Sequence, residues 1–335
     1  MKKTFSKVLK YTKIGMLSIL AAFIVFLSVC YINNQIQLKK EANLLVPPGK
    51  IVEVKGKKFH VYAEGKGDLT CVFMAGSGNV APIVELKPLY KNMSSEYRIA
   101  VVDRAGYGFS ENSNDSRDID TVLEETRKTL ALAGEKPPYV LFPHSISGIE
   151  ATYWAQKYPE EVKAIIGLDI GYPEAYLEHS LNKSTLFVLN AQSFFTKFGL
   201  HRLFPSMALQ EVVLDSNLLS KDDKELYKAL TYKKLQSSDI VNELNAIEKN
   251  SKKSLALKLP TKTPICIFLP VPLIEEERNQ KSTFLKERYN YYSNYVSKFE
   301  KGKVISVPGR HSIYLYSPDD IAKESKAFLR SISNP

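Results

Sequence analysis

Beyond residue 50 the chain alternates short apolar runs with longer segments of helical period. Residues 69–74, 97–102, 139–142, 164–168 and 264–269 are runs of four to six mostly apolar residues, and most are stopped by Gly, Pro or Asp. Runs of that length and setting predict buried strands. Between them lie a helix carrying Ile83, Leu86, Leu89 and Tyr90, and one from about Thr121 to Ala133. The second opens on a capping box, Thr121-Val-Leu-Glu124, and closes at Gly134. A third helix places Ala151, Trp154, Ala155 and Tyr158 at i, i+3, i+4, i+7 and stops before Pro159. Such alternation predicts an α/β chain with a mainly parallel sheet covered by helices on both faces. Residues 50–55 and 58–62 alternate around Gly56 as a hairpin does. A helix near 283–299, a strand at 303–307 and a last helix complete the pattern. That last helix has Ser317 as N-cap, Pro318 at its first position and an apolar face of Ile321, Phe328 and Leu329.

The rhythm fails in two places. Residues 171–259 lack strand runs and hold many aromatics, among them Tyr172, Tyr176, Phe187, Phe194, Phe195, Phe198 and Phe204. An inserted helical cap is expected there, between core segments 50–170 and 260–335. Residues 14–32 carry no charge, close to the ~20 residues a spanning helix needs. No A-x-A cleavage site follows them, and the run is longer than the apolar core of a cleavable signal. Five lysines precede it against Lys39 and Lys40 after it. The expected arrangement is a cytoplasmic N-terminus at 1–13, a transmembrane anchor at 14–32, a stalk at 33–49 and an extracytoplasmic folded part. Leu27-Ser-Val-Cys30 faintly resembles a lipoprotein cleavage box, which keeps a lipid anchor as the alternative.

Charge changes little after that. The net charge is +10, but residues 1–40 hold seven lysines and no acid, so the remainder carries +3. Nucleic-acid binding wants a clustered basic face and is not indicated. The three cysteines show no metal-site spacing and read as core thiols. No nucleotide-binding glycine pattern appears, so no cofactor is implied.

The candidate chemistry sits at strand ends. The strand ending at Phe142 breaks at Pro143, turns through His144-Ser145-Ile146-Ser147-Gly148 and enters a helix. A serine on such a turn projects its hydroxyl beyond the sheet edge, toward the free N–H groups of the helix start. Pro143 and Ser147 stand in the glycine positions of the G-x-S-x-G pattern. Ala75-Gly76-Ser77-Gly78 follows the first buried strand, Asp103-Arg-Ala-Gly-Tyr-Gly-Phe-Ser110 the second, and Gly309-Arg-His311 the last.

With those four signals in that order, residues 50–330 resemble the α/β-hydrolase superfamily, in particular its cap-bearing esterase and aminopeptidase-like branch. The resemblance implies a nucleophile, acid, histidine order. It points to Ser145 as nucleophile and His311 as base. Asp169 stands where haloalkane-dehalogenase-like members keep their acid, and Glu275, with Glu276 and Glu277, is the alternative. The N–H groups of Ser77 and Ile146 are the expected oxyanion donors. His144 reads as an elbow neighbour, His60 as a strand residue, Asp103 as an organiser of its own turn, and His179 and His201 as cap residues. The implied activity is cleavage of an ester or related acyl bond in a small-molecule substrate. A serine nucleophile argues against epoxide or haloalkane hydrolysis. An aminopeptidase would need cap carboxylates such as Glu174, Glu178 or Glu211, and an acyltransferase would share the acyl-enzyme. The rival reading is a membrane-tethered binding protein that keeps the fold without turnover.

Overall fold

The computed structural model describes residues 2–113, 115–178 and 182–333. His179 lies outside the described residues. The apolar runs form one eight-stranded sheet: β1 (Lys50–Val54), β2 (Lys57–Glu64), β3 (Thr70–Met74), β4 (Arg98–Asp103), β5 (Tyr139–Pro143), β6 (Val162–Leu168), β7 (Ile265–Val271) and β8 (Gly302–Pro308). Their spatial order is β1-β2-β4-β3-β5-β6-β7-β8. The predicted hairpin pairs β1 with β2, and β2 runs antiparallel to β4. Every other neighbouring pair is parallel. All candidate site turns therefore leave the sheet at the carboxyl ends of parallel strands.

The strand period of two sorts side chains between two cores. Cys71, Phe73, Val101 and Phe142 belong to one, and Val72, Ala100, Leu141 and Ile165 to the other. The first is covered by α2 (Pro82–Glu85), α3 (Lys87–Met93) and α14 (Pro318–Ser333). The second is covered by α4 (Ile119–Ala133), α5 (Ser147–Lys157) and α13 (Ser282–Val296), with the short α12 (Glu275–Gln280) before the last. Phe73 and Phe142 stack at 4.6 Å and are fully buried, each contributing about 2–3 kcal/mol of burial. Trp154 fills the gap between α5 and β5, its indole N–H donating to Glu161 at 2.8 Å.

Two expectations are corrected. Helix α4 starts at Ile119 with Asp118 as its cap, accepting from the Asp120 N–H. Glu124, expected to close a capping box on Thr121, instead takes Arg127 at 2.7 Å and the Tyr158 hydroxyl at 2.8 Å. The stalk is also helical. Helix α1 runs from Lys2 to Lys40 without a break at the polarity change near residue 33, and a 3₁₀ turn follows at Glu41–Leu44. Polarity ends the apolar stretch but does not end the helix, because Gln35 and Gln37 are good helix formers.

Between β6 and β7 the chain is helical: α6 (Pro173–Glu178), α7 (Lys183–Thr196), α8 (Pro205–Ala208), α9 (Glu211–Leu214), α10 (Lys221–Lys234) and α11 (Ser238–Leu255), with a 3₁₀ turn at Leu200–Leu203. The carboxyl end of α1 meets this region. Arg202 donates to Asn34 Oδ1 at 2.6 Å and forks onto the Glu41 carboxylate at 2.8 and 2.7 Å.

Candidate active site

The elbow carries its serine on strained backbone. Ser145 has φ 53°, in the left-handed region that side chains seldom adopt. Both departures from the glycine pattern find a physical role. Pro143 ends β5 beside Met74, and the next N–H, that of His144, bonds the Met74 carbonyl at 3.0 Å. Ser147 accepts from the same His144 N–H at 2.8 Å, and its hydroxyl faces the Met74 and His144 carbonyls. The hydroxyl thus ties the turn where glycine would merely permit it. Gly148 is required by contact: a Cβ there would overlap the Gly171 carbonyl and Ile170.

Asp169 leaves β6 with φ 49° and is 4 % exposed. Its Oδ2 meets His311 Nδ1 at 2.7 Å. The structure thus brings together two of the three side chains expected to cooperate, across 142 residues of sequence. Glu275 and Glu276 lie exposed at the start of α12, and Glu277 pairs with Lys281 instead. The other Asp169 oxygen is held by the Arg288 guanidinium of α13. Sequence reasoning missed Arg288, since nothing in its helical surroundings marks it as facing a strand end.

Ser145 neighbours the pair, and its side chain lies beside the Tyr176 hydroxyl of α6. The Tyr176 ring lies against Gly171, where a Cβ would overlap it. Among the described residues no hydrogen bond joins Ser145 to His311. Catalytic hydrogen bonds in unliganded sites are often long or misaligned and tighten when substrate binds.

Behind the serine stands a buried polar chain that the sequence did not announce. His144 faces Asn79 Oδ1 through Nδ1 at 2.8 Å and the His311 carbonyl through Nε2 at 3.0 Å. Asn79 Oδ1 also accepts from the Gly76 N–H at 3.1 Å, while its amide donates to Glu85 at 2.6 Å and to Tyr314 at 2.9 Å. This chain fixes the loop after β3 relative to both the elbow and the His311 turn. The N–H groups of Ser77 and Ile146 have no hydrogen-bond partner among the described residues.

Burial, reinforced by the His311 ring beside it, pushes the His144 imidazole down to about 3. A neutral ring donates from one nitrogen only, so it serves one of the two oxygens it faces. The linkage follows from the depressed value. Stability from neutral His144 is complete above its ordinary value of 6.5 and is lost as pH falls toward 3. By about pH 4.5 the loss is on the order of 3 kcal/mol. Melting temperature should therefore fall less between about pH 7 and pH 4.5 in His144→Gln than in the parent, and parallel falls would count against this account.

Arg104 clamps the other side of the loop. It donates to the Ala75 carbonyl at 2.7 Å and forks onto Glu243 of α11 at 2.9 and 3.1 Å, with the Tyr107 hydroxyl on the same carboxylate at 2.7 Å. All three residues are buried. Arg104→Leu leaves Glu243 without its cation in a dry interior, and such breaks cost about 3–5 kcal/mol. A denaturation midpoint within error of the parent's would contradict it.

The remaining candidates have structural partners. His60 pairs with Asp103 at 2.7 Å. Burial alone would lower the His60 imidazole, but that carboxylate holds it above its ordinary value. Asp103 also accepts from the Phe109 N–H at 2.9 Å, so it organises its own turn. His201 bonds the Tyr232 carbonyl at 2.9 Å within the helical region.

Comparison with known proteins agrees with this fold. A family model for the alpha/beta hydrolase fold matches residues 74–256. An uncharacterised Bacillus subtilis protein, YbdG, is 45% identical over 331 residues, spanning 98% of this chain and 99% of that one. Among solved structures, Cfl2 of Burkholderia cenocepacia is similar with TM-score 0.59 and 18% identity, over 84% of this chain and 95% of that one. Epoxide hydrolase VrEH1 of Vigna radiata is similar with TM-score 0.59 and 17% identity, over 84% and 97%. At such identities the structural likeness speaks to fold alone. The strand order, the elbow and the matched family model together establish that this chain belongs to the α/β-hydrolase fold family.

Proposed function

We propose that this protein is a membrane-anchored serine hydrolase that cleaves an ester or related acyl bond through an acyl-enzyme on Ser145. The observation that carries the reading is the Asp169–His311 contact at 2.7 Å, beside a serine held on left-handed elbow backbone. In the proposed reaction the Ser145 hydroxyl exchanges its Tyr176 contact for one with His311 Nε2. His311 takes the proton as Ser145 Oγ attacks the carbonyl, and Asp169 holds the Nδ1–H tautomer and stabilises the imidazolium. The unengaged N–H groups of Ile146 and Ser77 receive the oxyanion, each such donor lowering the barrier by about 3–4 kcal/mol. His311 then protonates the leaving group, and water releases the acyl chain by the same base.

The anchor reading rests on the helical stretch Lys7–Leu44, made of α1 and the turn after it, which is long and apolar enough to cross a membrane. The preceding lysines orient the folded part outward.

A specific observation favours a second reading. With Tyr176 beside Ser145 and no hydrogen bond from the serine to His311 among the described residues, the fold would serve as a tethered binding module. Reaction of the full-length protein with a fluorophosphonate probe separates the two. An activated serine is labelled, and labelling disappears in Ser145→Ala. An unlabelled parent protein would sink the hydrolase reading.

A further inference from the structure

We propose that the face formed by α7, the Leu200–Leu203 turn and α8 beds in the interfacial layer of the membrane that α1 crosses, with phospholipid as its occupant. The inference rests on the anchor reading above and adds a second, non-covalent membrane contact to it. Three independent observations carry it.

The first is apolar exposure. Phe187, Phe194, Leu203, Phe204 and Met207 are 74, 52, 48, 56 and 78 % exposed. Large aromatic and aliphatic side chains concentrated in some twenty residues form a patch of the kind that marks a partner or membrane surface. A cleft of about 180 Å³ lies within it, lined in part by Phe195, Leu200, Phe204 and Met207.

The second is charge. Residues 183–210 contain Lys183, Lys197 and Arg202 and no acidic residue. Lys39 and Lys40, on the outer end of α1, are exposed. Arg202 is paired with Glu41, but an apolar face flanked by Lys197, Lys39 and Lys40 still suits the boundary between acyl chains and anionic headgroups.

The third is depth. The turn at Gly199 packs on α1, where a Cβ would come within 2.5 Å of the Asn34 Cβ and 3.1 Å of the Cys30 carbonyl. Cys30 lies inside the apolar stretch that ends at residue 32. At ~1.5 Å rise per residue the contact reaches roughly 3 Å below the end of that stretch. Arg202 then locks the turn onto Asn34 and Glu41. Helices joined to this turn on both sides are held at the height where the bilayer meets water. Seating there would also bring α6, whose Tyr176 touches Ser145, close to a supply of acylated amphiphiles.

The test uses full-length protein in nanodiscs of phosphatidylcholine and phosphatidylglycerol. Cys30, Cys71 and Cys266 are buried, so a fluorophore can be placed on one introduced cysteine at a time and read by quenching from doxyl-labelled lipid. Met207→Cys and Phe187→Cys report the face. Lys136→Cys reports the amino-end side of the sheet, away from the helical region. Ala22→Cys reports the anchor. The expected result is several-fold stronger lipid quenching at 207 and 187 than at 136. Quenching at 22 with none above background at 207 and 187 overturns the docking proposal and leaves the anchor standing. No quenching at 22 overturns the anchor reading and the docking proposal with it. Label-to-label quenching at 207 without lipid quenching means that a second copy covers the face, which also overturns the proposal.

Discussion

Ser145→Ala removes turnover of a p-nitrophenyl ester by about 10⁴-fold or more, while the melting temperature stays close to that of the parent. The chemical part follows from the absence of a substitute. His144, the adjacent side chain, is buried with both nitrogens facing oxygens. Ser147 points back into the elbow. Among the described residues no other hydroxyl occupies the nucleophile position of the elbow, so whatever rate remains comes from oxyanion binding and water. The stability part follows from the backbone. Alanine meets the same cost as serine at φ 53°, and the Ser145 hydroxyl contributes only its contact with Tyr176. Comparing kcat/KM with melting temperature across acetate to long-chain esters tests both halves. Unchanged hydrolysis in the variant would mean that the measured activity arises elsewhere, and a collapsed melting temperature would mean that the hydroxyl is structural.

The sheet and its order of strand-end turns were legible because buried parallel strands are nearly continuous apolar runs, and β3 to β7 each carry one. The strand-end placement of the candidates Ser145 and His311 was legible for a related reason, since each follows a strand on a short turn whose residue types are restricted. Asp169 needed the family resemblance as well, because an aspartate after a strand is equally a cap. What could not be read depends on which distant side chains meet. Arg288 reaches Asp169 from 119 residues away, and Asn79 meets Tyr314 across 235. Neither partner carries a local pattern that announces the pairing. Tyr176 was one of several cap aromatics, and only the fold of α6 over Gly171 singles it out. The course of α1 beyond residue 33 failed for the opposite reason. Polarity marks where the apolar stretch ends and not where the helix ends: Gln35 and Gln37 carry it on, and Arg202 holds it at Asn34.

Asp169→Asn lowers kcat by about 10⁴-fold, and the surroundings of this side chain say why an isosteric amide fails. Aspartate offers an acceptor to each neighbour, Oδ2 to His311 Nδ1 and Oδ1 to Arg288. A guanidinium only donates, so it claims the single oxygen of the asparagine. The amide N–H₂ is then turned toward His311 Nδ1, which must accept. That places the ring proton on Nε2, the nitrogen that has to be free to take the proton from Ser145. Arg288 therefore converts a mild substitution into a tautomer trap. Asp169→Asn combined with Arg288→Met frees the amide to rotate its oxygen toward His311, and the double variant should recover part of the activity that the single one loses. Glu275→Gln, at an exposed position on α12, should turn over at close to the parental rate. The reverse pattern, with Asp169→Asn near normal and Glu275→Gln inactive, would transfer the acid's role to α12 and require the His311 turn to move in the working enzyme.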